Sequence, residues 1–424
     1  MRIWDLENEY DKLISFVQRG REKRKKDVRG AVDTIRKEVL SKKDKALVEF
    51  SRKWDNWQKK YPLKISEAEL NKGASEISGK DMKILQGMIQ NVSMYHRNQR
   101  GADRIFKKSG VLVREEQVAL ESALVYVPGG TAAYPSSLVM GVVPARIAGV
   151  KNIYVTTPTF LGQVNPYICA AAQLLGVKDV YRLGGAQAIY AFAYGTASIP
   201  KVDIIVGPGN AYVEEAKRDV YGQVGIDMLA GPTELIIFCT EEFSPKAIAW
   251  DMFSQAEHDQ MATAGLFSPS MKHLKEVEEL INRTISQNKR RETVQKALRN
   301  NGLLVYYKDK QRAADMINRI APEHMELIGD EQVLKNIFYP GIIYTGRHTT
   351  VAMGDYYIGT NHVLPTGGAG RFMGGLSVDR FTKRKVTVKI DESFIRRYGD
   401  QAIRLAEIEG LSAHGEAIRV RKEL

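Results

Sequence analysis

The chain has very little cysteine: Cys169 and Cys239 are the only two among 424 residues. They form no CxxC pair, and each lies in or beside an apolar run. This excludes a disulfide framework and a thiolate metal knuckle, and leaves two buried thiols of a reducing compartment. No apolar run reaches the ~18 residues that a membrane-spanning helix needs. The first residues, MRIWDLENEYDKL, are charged and lack an apolar core of the signal-peptide kind, so a cytoplasmic protein is expected. There is no low-complexity segment, no HExxH zinc-protease signature and no GxGxxG after a strand. A dinucleotide, if used, is therefore bound by a modified α/β domain.

What is present suits an enzyme. The length allows two or three domains, at ~100–200 residues each. Apolar content of 44% and charged content of 26% are those of an ordinary globular chain, large enough to fold without a staple. The net charge of +12 is spread along the chain, apart from a dense cluster at residues 19–26. That cluster has no interleaved aromatics and precedes the apolar stripe Val28, Val32, Ile35 and Val39. It reads as a solvated helix face, so no nucleic-acid partner is expected, although the field favours anionic ligands.

Residues 1–100 read as polar helices, for example 27–40, 44–54 and 66–76. The texture changes near residue 120. The run 124–127 stops at Pro128-Gly129-Gly130, and a helix is predicted over 136–149. A strand at 153–157 leads to a helix at 166–175. A strand at 180–183 ends in Gly184-Gly185-Ala186-Gln187 before another helix. A strand at 202–206 ends in Gly207-Pro208-Gly209-Asn210 before a helix at 211–221. Strand, Gly-rich turn and helix thus recur three times, the pattern of βαβ units and a parallel sheet. Ligands of such sheets bind where these turns lie, at the carboxyl ends of the strands. The second half repeats the texture, with strands at 235–239, 303–307 and 341–345, a helix opened by Ser244-Pro245, and a basic helical tail after 385–388.

Four segments carry groups able to do chemistry. On the Ser244-Pro245 helix, Ile248, Met252 and Gln255 share one face, with His258 one turn further on. An apolar stripe ending in an amide and an imidazole is either a metal or substrate site or a helix end fraying into solvent. Pro322-Glu323-His324 sets a carboxylate beside an imidazole between apolar flanks. The two are a base and an acid or base for separate steps, or Glu323 is a first-turn carboxylate of a helix that starts here. The segment 354–368 is rich in glycine and holds Asp355, Asn361 and His362, a mixture usual in functional loops. Finally, Gly410 suits a helix C-cap between Glu409 and His414. Gln255, His258, Asp355 and His414 would make a sulfur-free ligand set suited to a catalytic zinc. Sequence spacing does not show that they converge. Cys239 lies inside an apolar strand, the wrong setting for a nucleophilic thiol.

The runs at 225–235 and 254–259 closely resemble the signature of the histidinol dehydrogenase family. So do Pro322-Glu323-His324, the segments 354–356 and 361–366, and Leu411-Ser412-Ala413-His414. The similarity runs in order from about residue 120 to the C-terminus and is looser before it. Thr233 stands where many members carry serine, and it keeps the hydroxyl. The stretch 370–375 is less typical.

The resemblance implies a zinc-containing homodimer that oxidises L-histidinol to L-histidine with two NAD in the last steps of histidine biosynthesis. It implies zinc on Gln255, His258, Asp355 and His414, with His414 reaching across from the other subunit. Glu323 and His324 would be the bases. Thr233, His324, Asp355, His362 and Glu409, alongside the metal ligands, would contact substrate. Tyr126, Gln187 and Asn210 would contact NAD.

The implied fold is α/β: two Rossmann-like parallel-sheet domains without a standard GxGxxG, plus helical terminal extensions that mediate dimerisation. The boundaries are 1–25 for the N-terminal extension, 26–125 with 233–376 for the domain carrying zinc and bases, 126–232 for the domain carrying NAD contacts, and 377–424 for the C-terminal extension. The alternatives are a related zinc- and NAD-dependent dehydrogenase of another small polar alcohol, and a non-catalytic binding protein on the same scaffold.

Overall fold

Continuous apolar runs, rather than alternating ones, mark strands covered on both faces. Two such runs lie inside two parallel sheets. The structure is a computed structural model that describes residues 1–424 except 25–27, 56, 58–60, 130–133 and 160, together with the side chains of residues 23 and 24. Gly130, the start of the helix predicted at residue 27, and the end of the basic cluster therefore lie outside the described residues.

In the five-stranded sheet the order is Asp179–Arg182, Asn152–Thr157, Ser122–Tyr126, Ile204–Val206, Gly225–Ile226, all parallel. The chain builds outward from Ser122–Tyr126 on one side, then returns to its other side. The switch point thus falls between Ser122–Tyr126 and Ile204–Val206, the place at whose carboxyl end open parallel sheets take ligands. Helices cover both faces: Pro135–Ala148 and Pro166–Leu174 contribute to one core, Gly185–Tyr194 and Ala211–Val220 to the other.

The six-stranded sheet has the order Ile3–Asp5, Leu303–Tyr306, Thr263–Ser268, Glu234–Cys239, His324–Ile328, Ile342–Thr345, again all parallel. Strand alternation divides its side chains. Leu235, Ile237 and Cys239 enter a core with the helix Pro245–Ala256, whereas Ile236 and Phe238 enter the opposite core. Phe253 of that helix is fully buried. We expect Phe253→Ala to lower unfolding free energy by about 3–5 kcal/mol in urea titrations; a change below about 1 kcal/mol would contradict this packing.

Several expectations need correction. The N-terminus is not purely helical, because Ile3–Asp5 pairs with Leu303–Tyr306 before the helix Leu6–Arg24 begins. Strand Thr263–Ser268 was not anticipated. Nor was a third, antiparallel sheet of Arg104–Lys108, Val111–Ala119 and Thr382–Ile390. The C-terminal extension thus opens with a nine-residue strand before its helices Glu392–Ile408 and Ser412–Lys422. Lysines and arginines break up the apolar signal of this strand, which is exposed along nearly its whole length. No helix among the described residues is long and apolar enough to cross a membrane.

Candidate active site

Pro322-Glu323-His324 does not start a helix. The helix Lys310–Ile320 ends at Ala321, whose φ of 45° lies in the left-handed region, and His324 opens the strand His324–Ile328. The apolar flank before the triplet ends the preceding helix, and the flank after it belongs to this buried strand, which is why a helical reading fails. His324 is in register with Leu235. Glu323 and His324 therefore sit at the amino edge of the six-stranded sheet, opposite to the edge that the general rule for parallel sheets favours. Helix Pro245–Ala256 runs back across this sheet and brings Gln255 to the same edge.

One hydrogen-bonded chain organises the cluster. Gln255 Nε2 donates to Thr233 Oγ1, and Thr233 Oγ1 donates to Glu323 Oε2 at 2.5 Å. The backbone N–H of Glu234 also donates to Glu323 Oε2, at 3.1 Å. The carboxylate accepts, so the Thr233 hydroxyl donates; its lone pair then takes the amide N–H, which leaves Gln255 Oε1 without a partner. His324 Nδ1 lies 3.2 Å from the carbonyl oxygen of Glu234. A carbonyl only accepts, so Nδ1 carries the proton and Nε2 keeps a lone pair. Nε2 is buried and has no partner among the described residues.

Burial pushes the Glu323 carboxyl up to about 8, against the lowering effect of Thr233 and Glu234 N–H. Burial also pushes the His324 imidazole down to about 4, although Asp355 acts to raise it. Both shifts disfavour charge in a site shielded from water. Asp355, His258 and His362 all lie close enough to bias His324 electrostatically. His362 Nδ1 is fixed at 3.0 Å from the backbone oxygen of Asp355.

The structure thus brings Thr233, Gln255, His258, Glu323, His324, Asp355 and His362 into one neighbourhood. Glu409 and His414 are exposed at the junction of the last two helices. No hydrogen bond or ion pair among the described residues joins them to it. Among the described residues there is also no group of three or more His, Cys, Asp or Glu placed to hold a metal. His96 and His273 are satisfied core histidines, the first between Gln99 and Asn361, the second between Ser268 and the Phe243 carbonyl.

Tyr126, Gln187 and Asn210 lie at the carboxyl edge of the five-stranded sheet. Tyr126 closes the central strand and its hydroxyl accepts from Gly185 N–H at 3.1 Å. Gln187, in the first turn of Gly185–Tyr194, is buried with its Oε1 unpartnered. Asn210 caps Ala211–Val220, its side-chain oxygen accepting from the N–H groups of Tyr212 and Val213.

Sequence reading passed over two participants. Arg21 belonged to the cluster taken as a solvated face, yet its guanidinium clasps buried Glu234 in a bidentate pair at 2.9 and 2.8 Å. Tyr344 is buried between His324, whose ring lies nearly parallel at 6.4 Å, and the backbone of Gly354. Nothing local in the sequence signals either contact.

Two parallel α/β sheets, with a buried carboxyl and imidazole whose charged forms are disfavoured at the edge of one and a topological switch point in the other, define an α/β enzyme. A family model described as histidinol dehydrogenase matches residues 18–422, and the chain belongs to that family of oxidoreductases. It is 41% identical over 401 residues to a histidinol dehydrogenase of Chlorobaculum tepidum, covering 93% of each chain. It is 40% identical over 428 residues to one of Aquifex aeolicus, covering all of both. The crystal structure of histidinol dehydrogenase from Elizabethkingia anophelis superposes with a TM-score of 0.89 at 31% identity, covering 94% of this chain and 93% of that one.

Proposed function

We propose that the chain oxidises L-histidinol to L-histidine, through L-histidinaldehyde, with two NAD and one zinc ion per subunit, as the closing steps of histidine biosynthesis. Two buried orphan atoms beside a held carboxyl carry this reading: Gln255 Oε1 and His324 Nε2. A buried polar atom without a partner calls for a ligand or water.

The donor set fits zinc. A free amide oxygen, an imidazole from His258 and a carboxylate from Asp355 are neutral-to-hard ligands of the kind a catalytic zinc takes. The chain alone offers three of the four donors, and the exposed position of His414 suits donation to a second copy. We therefore infer a homodimer with shared sites, in which His414 completes the metal set and Glu409 reaches the substrate of the partner. When bound, zinc supplies a fixed positive charge that orients the amino alcohol and its imidazole. When bound between Tyr126, Gln187 and Asn210, NAD supplies the hydride acceptor.

The chain's own groups do the rest. His324, neutral at pH 7 because burial depresses it to about 4, takes the alcohol proton at Nε2. The Glu234 carbonyl holds the ring in the tautomer that leaves Nε2 free. Thr233 and Glu234 N–H orient the Glu323 carboxylate toward a water, which it deprotonates for attack on the aldehyde carbon. The resulting hydrate gives up the second hydride. Asp355, in the last turn of the helix Val351–Tyr356, and His362, in the irregular segment after it, contact the substrate. Enclosure fixes the reacting atoms and excludes bulk water.

The test is NADH yield from L-histidinol with zinc present. Two NADH per substrate are expected, and no turnover sinks the proposal. Replacing His258 by alanine should leave substoichiometric zinc by elemental analysis of the purified protein. Full zinc retention removes His258 from the ligand set.

A further inference from the structure

One cluster of buried charge that the reaction above does not use stands behind the turn at Gly207. Lys217, on Ala211–Val220, is fully buried, as is Asp227, just beyond the strand Gly225–Ile226. Lys217 Nζ lies 2.7 Å from Asp227 Oδ1 and donates to the carbonyl of Gly207 at 2.9 Å. Asp227 Oδ2 accepts from the N–H of the same Gly207 at 2.7 Å. Both backbone polar groups of Gly207 are thus held by two charged side chains that hold each other. Glu214, one turn before Lys217, lies 3.7 Å from its ammonium and accepts from Ala230 N–H at 2.7 Å.

This ring closes on a demanding turn. Gly207 has φ of 112°, and an added Cβ would overlap the carbonyl oxygen of Tyr126. The turn lies between Tyr126 and Asn210 at the switch point. From Asp227 the chain runs to Thr233 and the base cluster, pinned on the way where Gly231 N–H donates to Thr366 Oγ1 at 2.5 Å. Desolvating three charges is costly, and a buried ion pair is weak evidence of a gain in stability. Its geometry is definite: it ties the Gly207 turn to Asp227, in the segment that leads to Thr233.

We propose that Lys217 is a positioning residue for the dinucleotide, holding the Gly207 turn through a closed ring with Asp227 in register with the Thr233–Glu323 cluster. This rests on the NAD reading above. Two variants test it: Lys217→Met, and the double variant Lys217→Met/Asp227→Leu. The double variant leaves no lone charge buried, so it keeps the fold if the single variant loses it. NAD affinity is measured by calorimetry on zinc-loaded protein, with zinc content and histidinol affinity measured in parallel.

The expected result is a rise in NAD Kd of about tenfold to hundredfold, the effect of losing a charged hydrogen bond. Zinc content and histidinol affinity should stay unchanged. An unchanged NAD Kd in the double variant overturns the proposal. So does loss of zinc and histidinol binding along with NAD, which would make Lys217 a determinant of the whole fold. Unaltered protein that binds histidinol but not NAD overturns the cofactor reading itself, a result seen before any variant is made.

Discussion

Glu323→Gln should slow oxidation of L-histidinaldehyde by about 10²–10⁴-fold, the usual contribution of a general base. Oxidation of L-histidinol to the aldehyde should suffer much less, because the proposed acceptor for that proton is His324. Glutamine keeps the volume and can still accept from the Glu234 N–H, so the fold should survive. Single-turnover NADH formation from each substrate separates the two steps. Aldehyde oxidation at full rate in this variant would remove Glu323 from the role of water-activating base.

The same carboxyl gives a pH signature. Burial raises it to about 8 in the free chain, so the base form is gained as pH rises through 8, not lost. Metal-free protein should show by carbon NMR a carboxyl titration near 8 that Glu323→Gln removes, while that of Glu326, which burial also raises to about 8, remains. A divalent cation bound nearby favours the charged form, so added zinc should move the Glu323 midpoint down. A midpoint near 4.5 without metal would mean that water reaches this carboxyl.

Much of this architecture could be read in the chain. Residues 124–127 and 235–239 are strands because β-branched and aromatic residues fill both faces, and the Gly-rich turns after residues 183 and 206 mark the carboxyl edge of the five-stranded sheet. The sulfur-free donor groups could also be named, because Gln255 and His258 end an apolar stripe, whereas Asp355, expected in a loop, stands in the last turn of the short helix Val351–Tyr356. Three features could not. The antiparallel strand Thr382–Ile390 carries four Lys or Arg in nine residues, which disguises its period. Pro322-Glu323-His324 has the local chemistry of a helix start, and pairing with Glu234–Cys239 and Ile342–Thr345 is what makes His324 open a strand. Arg21 meets Glu234 across 213 residues of chain, a separation that no local pattern reports.

Gly354→Ala should cost at least about a hundredfold in turnover of L-histidinol, as a displacement of ~1 Å does in an active site. Tyr344, in register with Glu326 on the neighbouring strand, drives its ring tip against the backbone of Gly354. A Cβ added there would stand 2.5 and 2.6 Å from two ring carbons, and closer still to the hydroxyl. Retreat of the ring is costly, because it is buried and its face lies toward His324. The backbone must shift instead, and the next residue is Asp355, a proposed zinc ligand whose carbonyl also meets His362 Nδ1. One methyl group would therefore disturb metal, substrate contact and base together, with about 1–3 kcal/mol lost in stability from overpacking. Adding Tyr344→Leu should recover part of the zinc content and turnover, because it removes the ring that collides. Full activity in the single alanine variant would mean that Asp355 tolerates displacement and does not hold the metal. No recovery in the double variant would mean that the tyrosine itself is needed, as the strut that keeps Asp355 and His324 at a fixed separation.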